Sequence, residues 1–302
     1  MKKKLMATFM AATLVVSMLA GCGSSEKTEQ KTPDAEVNES ADAGTDNGVS
    51  GDKTSNIDMS GVKLINDGVL TVGAEIGYPP FEDYAEDGTT PIGYDVDLAA
   101  AIADKLGLDY TFVNTGFDGI LAGIGVNYDC VISAVTINPE RLENALFSKP
   151  YIQNYQSVVV KKGSDAKINS LNDLAGLVVG VQKGTTSDIL ISDYKNTGTI
   201  DCTILANEQI LSSFSQLDNG EINAVLCDSQ VADGYIAGHP DKYELAYRDN
   251  SEPEEFGIAM GKEDTALQTA VNQAMDELKE EGFFEETANY WFGAQDSKKT
   301  QE

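Results

Sequence analysis

Between Val69 and Phe292, short β-branched runs alternate with segments of helical periodicity, and this alternation leaves few architectures open. VLTVGAE, residues 69–75, alternates as a strand does. Over 95–106, Val96, Ala99, Ile102, Ala103 and Leu106 recur at helical spacing, and Gly107 supplies a stop. A strand over 109–113, a helix over 117–126 and a buried strand over 129–134 follow. Asn138-Pro139 reads as an N-cap with proline at the first helical position. After a strand over 156–162 the series restarts. Strands are expected over 177–181, 203–205 and 224–227, with helices from near Thr186, over 211–217 and from Ser229. A return strand over 255–260, a long helix over 266–281 and a short one through Tyr290-Trp291-Phe292 end it. Such a chain is α/β, each set forming a mostly parallel sheet covered by helices on both faces. Two sets predict two lobes, and facing strand ends make the shared cleft the natural ligand site.

The 302 residues are ample for two lobes and a tail. A formal net charge of −28 argues against nucleic acid, whose phosphates need clustered Lys and Arg, and against lying flat on an anionic membrane. The cysteines, Cys22, Cys130, Cys202 and Cys227, form no CxxC, and His239 is the only histidine, so no metal site is expected. Cys130 and Cys227 sit in apolar runs and read as small buried hydrophobes, with a disulfide among Cys130, Cys202 and Cys227 left open. No GxxxxGK[ST] pattern occurs, and no cofactor is expected.

Lys2, Lys3 and Lys4 precede an apolar run over 5–20, the order of a secretory signal. The run is shorter than the roughly 20 residues a spanning helix needs. It ends in Leu19-Ala20-Gly21-Cys22, which resembles the lipobox of bacterial lipoproteins. That resemblance implies a signal over 1–21, cleavage before Cys22, and a lipid on its sulfur. The mature chain would then lie on the extracytoplasmic face of the cell membrane. From Gly23 to about Ser60 almost no large apolar residue occurs, which predicts a disordered acidic linker.

Gly77-Tyr78-Pro79-Pro80-Phe81 followed by Gly93-Tyr94-Asp95-Val96-Asp97-Leu98 resembles the polar amino acid-binding receptors of ABC transporters. Phe117-Asp118-Gly119, Pro139-Glu140-Arg141, Gly180-Val181-Gln182, Gly184-Thr185-Thr186, Asp228 and Trp291-Phe292-Gly293 match in order, so the resemblance spans roughly residues 61–294. It implies the two-lobe periplasmic-binding-protein fold, which shuts on its ligand like a flytrap. One lobe would comprise 61–153 and 251–296, the other 154–250, and 297–302 would be a tail. It further implies a monomer that takes a free amino acid, polar or cationic, and delivers it to an ABC permease.

The site residues follow from the same resemblance. Arg141 would grip the ligand carboxylate; read alone, it could be a helix arginine paired with Glu140 or Glu143. Asp228 would receive the ammonium, or simply cap the helix from Ser229. Thr136 and Thr186 would bond the charged ends, and Ser133 the ligand near its amino group. Tyr78 and Phe117 would sandwich the side chain, with Phe81 in the core. Glu75 would address a cationic or donor side chain, and Gln182 would bond a side chain or solvate the rim. Ala134 and Val135 depart from the commoner Ser-Gly or Gly-Met, which removes a hydroxyl from one wall. The other readings are a cleft enzyme of the cyclohexadienyl dehydratase type, using Glu75 and Asp228, and an amino acid sensor component.

Overall fold

The computed structural model describes residues 55–293. Cys22 and its surroundings, most of the expected linker, and the segment after Gly293 lie outside these residues. In chain order the first elements are β1 (Val69–Ala74), β2 (Asp83–Tyr84), β3 (Pro91–Ile92), α1 (Tyr94–Leu106), β4 (Asp109–Asn114), β5 (Cys130–Val131), α2 (Pro139–Asn144), β6 (Leu146–Phe147) and β7 (Ile152–Lys161). There follow β8 (Val178–Gln182), α3 (Thr186–Asn196), β9 (Thr203–Asn207), α4 (Ile210–Asn219), β10 (Ala224–Asp228), α5 (Ser229–Gly238), β11 (Tyr243–Phe256), β12 (Ala259–Met260), α6 (Thr265–Glu280) and α7 (Phe283–Phe292).

Two five-stranded sheets carry the two lobes, in the orders β4-β1-β5-β12-β6 and β11-β7-β10-β8-β9. The sheets are mixed rather than mostly parallel. In the first, β1 runs parallel to β4 and β5, while β12 is antiparallel to β5 and β6. In the second, β10-β8 and β8-β9 are parallel, while β7 is antiparallel to β10 and β11. The antiparallel strands are those that pass between the lobes or return to the first.

Helix α1 shows why the local pattern worked. Leu98, Ala99, Ile102, Ala103 and Leu106 form a buried stripe, acids Asp95 and Asp97 sit in the first turn, and Lys105 in the last. Each buried leucine or isoleucine contributes about 1.5–3 kcal/mol relative to exposure. Gly107 ends the helix in the left-handed region. At the other end Gly93 has φ 139°, and a Cβ there would come within 2.1 Å of the Phe81 carbonyl oxygen, so only glycine fits. Helix α6 repeats the logic through Leu267, Ala270, Val271, Ala274, Met275 and Leu278, and packs against α1.

Three further expectations fail. Residues 117–126 form only a short 3₁₀ turn over Ile120–Gly123, because Gly119, Gly123 and Gly125 weaken any α-helix. The expected return strand over 255–260 is split. A long β11 ends at Phe256, and β12 begins after Gly257, where an added Cβ would come within 2.7 Å of Ile137 Cδ1. Residues 55–60 are not simply linker: Ser55 Oγ donates to the Lys105 carbonyl at 2.7 Å, and Ile57 is buried in the core. Cys130, Cys202 and Cys227 are buried, free thiols.

Candidate ligand-binding site

Six of the eight expected ligand residues converge. Tyr78, Phe117, Thr136, Arg141, Thr186 and Asp228 line one narrow space between the lobes, together with Ala134, Gln182 and Thr185. The walls leave about 10 Å³ between them, room for roughly one water.

Arg141 enters from α2, a helix that Asn138 caps by accepting from the Arg141 backbone N–H at 2.8 Å. Its guanidinium donates to the Thr136 carbonyl (2.9 Å) and, across the cleft, to the Gly184 carbonyl (3.2 Å). The Phe117 ring lies beneath it, 5.4 Å from the guanidinium carbon. Arg141 is buried, and it pairs with neither Glu140 nor Glu143; among the described residues no carboxylate lies within ion-pair distance of it. Burial pulls its pKa down, opposed by the fields of Asp228 and Glu254.

Asp228 ends β10 and precedes α5, yet its side chain makes no capping bond. The first N–H of α5, on Ser229, donates instead to Asn154 Oδ1 at 2.9 Å. Asp228 is thereby released toward the cleft. Tyr78 donates its hydroxyl to Oδ2 from the opposite lobe at 2.5 Å, and Asn154 Nδ2 (2.6 Å) and Gln156 Nε2 (3.3 Å) donate to Oδ1. Burial, then the field of Glu254, raises its pKa to about 7, against the lowering effect of its hydrogen bonds and of Arg141.

Thr186 begins α3, whose cap is Thr185 accepting from the Asp188 N–H. The hydroxyls of Thr136 and Thr186 both donate to Glu254 Oε2, at 3.3 and 3.0 Å. Ala134 holds a left-handed φ of 47°, uncommon for a residue with a Cβ, and its N–H donates to Asp95 Oδ2 at 2.7 Å.

Ser133 and Glu75 stand apart from this space. Ser133 is buried, donating to Glu82 Oε1 (2.6 Å) and accepting from the Glu75 N–H (3.0 Å). Glu75 lines a neighbouring cavity of about 400 Å³ with Asn114, Glu208, Gln209 and Ser212. It joins the cleft through Gln182, whose Nε2 donates to its Oε2 at 3.1 Å. Burial raises its pKa to about 7, eased by bonds from Gln182 and Gln209. Phe81 is core, fully buried against Tyr94, Phe256 and Phe292.

The residues that the sequence reading missed are Asn154, Gln156 and Glu254. Asn154 and Gln156 are two apart on β7, so they share a face, and polar residues on one face of a strand were the available signal. Glu254 lies in the acid-rich run Glu252-Pro253-Glu254-Glu255, where nothing sets it apart.

Residues 70–294 match the family described as bacterial extracellular solute-binding proteins, family 3. The chain belongs to that family. It is 32% identical over 237 residues to the L-cystine-binding protein TcyJ of Escherichia coli, covering 78% of this chain and 87% of that one. It is 28% identical over 228 residues to ABC transporter arginine-binding protein 1 of Escherichia coli, covering 74% and 90%. Among solved structures, an ancestral arginine-binding protein bound to arginine superposes with a TM-score of 0.71 at 36% identity, covering 75% of this chain and 99% of that one. Membership in this family of solute-binding proteins agrees with the two-lobe architecture.

Proposed function

We propose that this solute-binding protein captures a free amino acid in the cleft between its lobes and delivers it to an ABC permease. One observation carries the reading. A buried guanidinium with no carboxylate at ion-pair distance and a buried carboxylate converge on one space from opposite lobes. Each is costly to bury without an opposite charge, and a zwitterion supplies both. In this reading Arg141 takes the ligand carboxylate and Asp228 the ammonium, with Thr136 and Thr186 bonding the charged ends. Tyr78 and Phe117 flank the side chain, Ser133 holds the wall behind it, and Glu75 meets a cationic or donor group.

The space between the walls is too small for an amino acid, so entry requires the lobes to part and re-close on the ligand. A hinge through β7 and β11, which pair side by side at Asn154 and Glu254, would permit this. Lobes divided near residues 153 and 251 fit that crossing. We read the protein as a binder rather than an enzyme, as the named relatives are binding proteins. We place it outside the cytoplasm, held by a lipid on Cys22, from the Lys-rich start and the LAGC sequence.

A thermal-shift screen over the common amino acids and cystine tests the reading. A ligand at about 1,000 times its Kd stabilises by about 4 kcal/mol, a readily visible shift. A screen in which no amino acid shifts the protein at millimolar concentration overturns it. Product formation from a bound ligand, seen by NMR, would make the protein an enzyme instead.

A further inference from the structure

Glu254 is not among the residues lining the narrow space, yet it touches almost everything that shapes it. It sits on β11 where pairing with β7 resumes after a register shift, opposite Asn154. Its Oε2 accepts from Thr136 of one lobe and from Thr186 of the other. Opening the cleft must therefore break one of these two bonds. The same carboxylate shares donors with Asp228. Asn154 Nδ2 reaches Asp228 at 2.6 Å and Glu254 at 3.0 Å, while Gln156 Nε2 reaches them at 3.3 and 3.2 Å. Asn154, Gln156 and Asp228 are buried and Glu254 is half-buried, so the two carboxylates are held side by side on shared donors.

We propose that Glu254 is a positioning residue for ligand capture. Its carboxylate ties the hydroxyls of Thr136 and Thr186 together across the cleft and sets a second negative charge behind Asp228, so that closure favours a ligand with a free ammonium. This rests on the amino acid reading above.

The physical reason is repulsion. The charge of Glu254 disfavours the ionised form of buried Asp228, and a cation at Asp228 relieves that. The other titratable groups facing Asp228 are Tyr78 from the loop after β1, Cys227 beside it on β10 and Arg141 from α2. Glu140 adds to the field at Arg141, and Glu82 to that at Tyr78. Tyr78 and Cys227 are themselves pushed to high pKa, chiefly by burial, so near neutral pH the balance lies among Asp228, Glu254 and Arg141. Asp228 must be ionised to take an ammonium, so affinity rises with pH through its own titration near 7.

The test measures Kd by calorimetry from pH 5.5 to 8.5 with L-arginine, L-glutamine and L-cystine as probes. In the wild-type protein affinity should rise with a midpoint near pH 7. Glu254→Gln should weaken binding about tenfold at pH 8 through the lost charged hydrogen bonds to both threonines. It should also move the midpoint down by about one pH unit, because Asp228 loses a like charge. Glu254→Asp keeps the charge and should keep the midpoint, while its shorter reach costs about threefold in affinity. A Gln variant with the wild-type midpoint overturns the proposal, whatever its affinity. If that variant does not fold, unchanged affinity in Glu254→Asp overturns it. A wild-type protein that binds none of the three probes and no amino acid in the thermal-shift screen overturns the receptor reading and this inference with it.

Discussion

Buried carboxylates at two places in this fold differ in what surrounds them. Glu82 and Asp95 sit behind the first-lobe wall of the cleft. Asp95 accepts from the Ala134 N–H and the Tyr151 hydroxyl, and Glu82 from the Ser133 hydroxyl, while Asp95 Oδ1 and Glu82 Oε2 have no partner. Asp228 has partners on both oxygens and faces the space where Arg141 converges. Burial is the first cause of the raised pKa in all three, and in Glu82 the field of Asp95 is the second. The contrast shows that burial alone does not mark a ligand group. The first pair props a wall, holding Ser133 and the left-handed Ala134 in place. Asp228 belongs to a charge arrangement that protein atoms leave unbalanced.

Breaking the second arrangement should have the largest effect. Arg141→Ala and Asp228→Ala each remove one partner of a desolvated charge pair, worth about 3–5 kcal/mol, so amino acid affinity should fall by about a hundredfold or more in calorimetry. A loss under threefold in either would erase the distinction drawn here. Asp95→Ala should act on stability instead. It leaves the Ala134 N–H and the Tyr151 hydroxyl without their acceptor, at about 1–3 kcal/mol in urea denaturation. If it cost as much affinity as Asp228→Ala at unchanged stability, the wall would be part of the ligand shell.

A pH series sharpens the comparison further. Glu75, Asp95 and Asp228 have pKa values raised to about 7 from 4.5, 3.8 and 3.8. Between pH 4 and 7 the folded chain keeps protons that the unfolded chain has released. Stability is therefore greatest below pH 4 as far as these groups are concerned, and falls as pH rises through 7. Thermal melts without ligand should show a lower Tm at pH 8 than at pH 5. A saturating amino acid should reduce the part of that fall due to Asp228 and leave the part due to Asp95. The smallest effect belongs to Lys183, whose ion pairs with Asp118 (2.9 Å) and Glu208 (3.5 Å) bridge exposed rims of the cleft. Exposed pairs are worth about 0–1 kcal/mol, so Lys183→Ala should change Kd by no more than about fivefold.

Much of the fold was legible because its signals are local. The stripe of α1, the Asn138-Pro139 cap and the β-branched runs depend on neighbours within a few residues. The exceptions are instructive. The run of 14 residues in β11 holds proline and six Asp, Glu or Arg residues, which hides a strand from any periodicity argument. It is tolerated because β11 is an edge strand, and charges and proline suit an edge. In the site, Arg141, Asp228, Tyr78, Phe117, Thr136 and Thr186 were nameable only through ordered motifs matching a family. Physical reading alone left Arg141 as a surface helix residue and Asp228 as a cap.

By itself the sequence determined which segments become strand or helix, and that they fall into two α/β sets, since periodicity and capping act over a turn or two of chain. Tertiary structure alone decided that Ser229 is served by Asn154 rather than by Asp228. It also decided that Arg141 meets backbone carbonyls instead of the acids beside it, and that Glu254 reaches across both lobes. Those outcomes depend on groups up to 118 residues apart being brought together to share donors, and no local pattern encodes that competition.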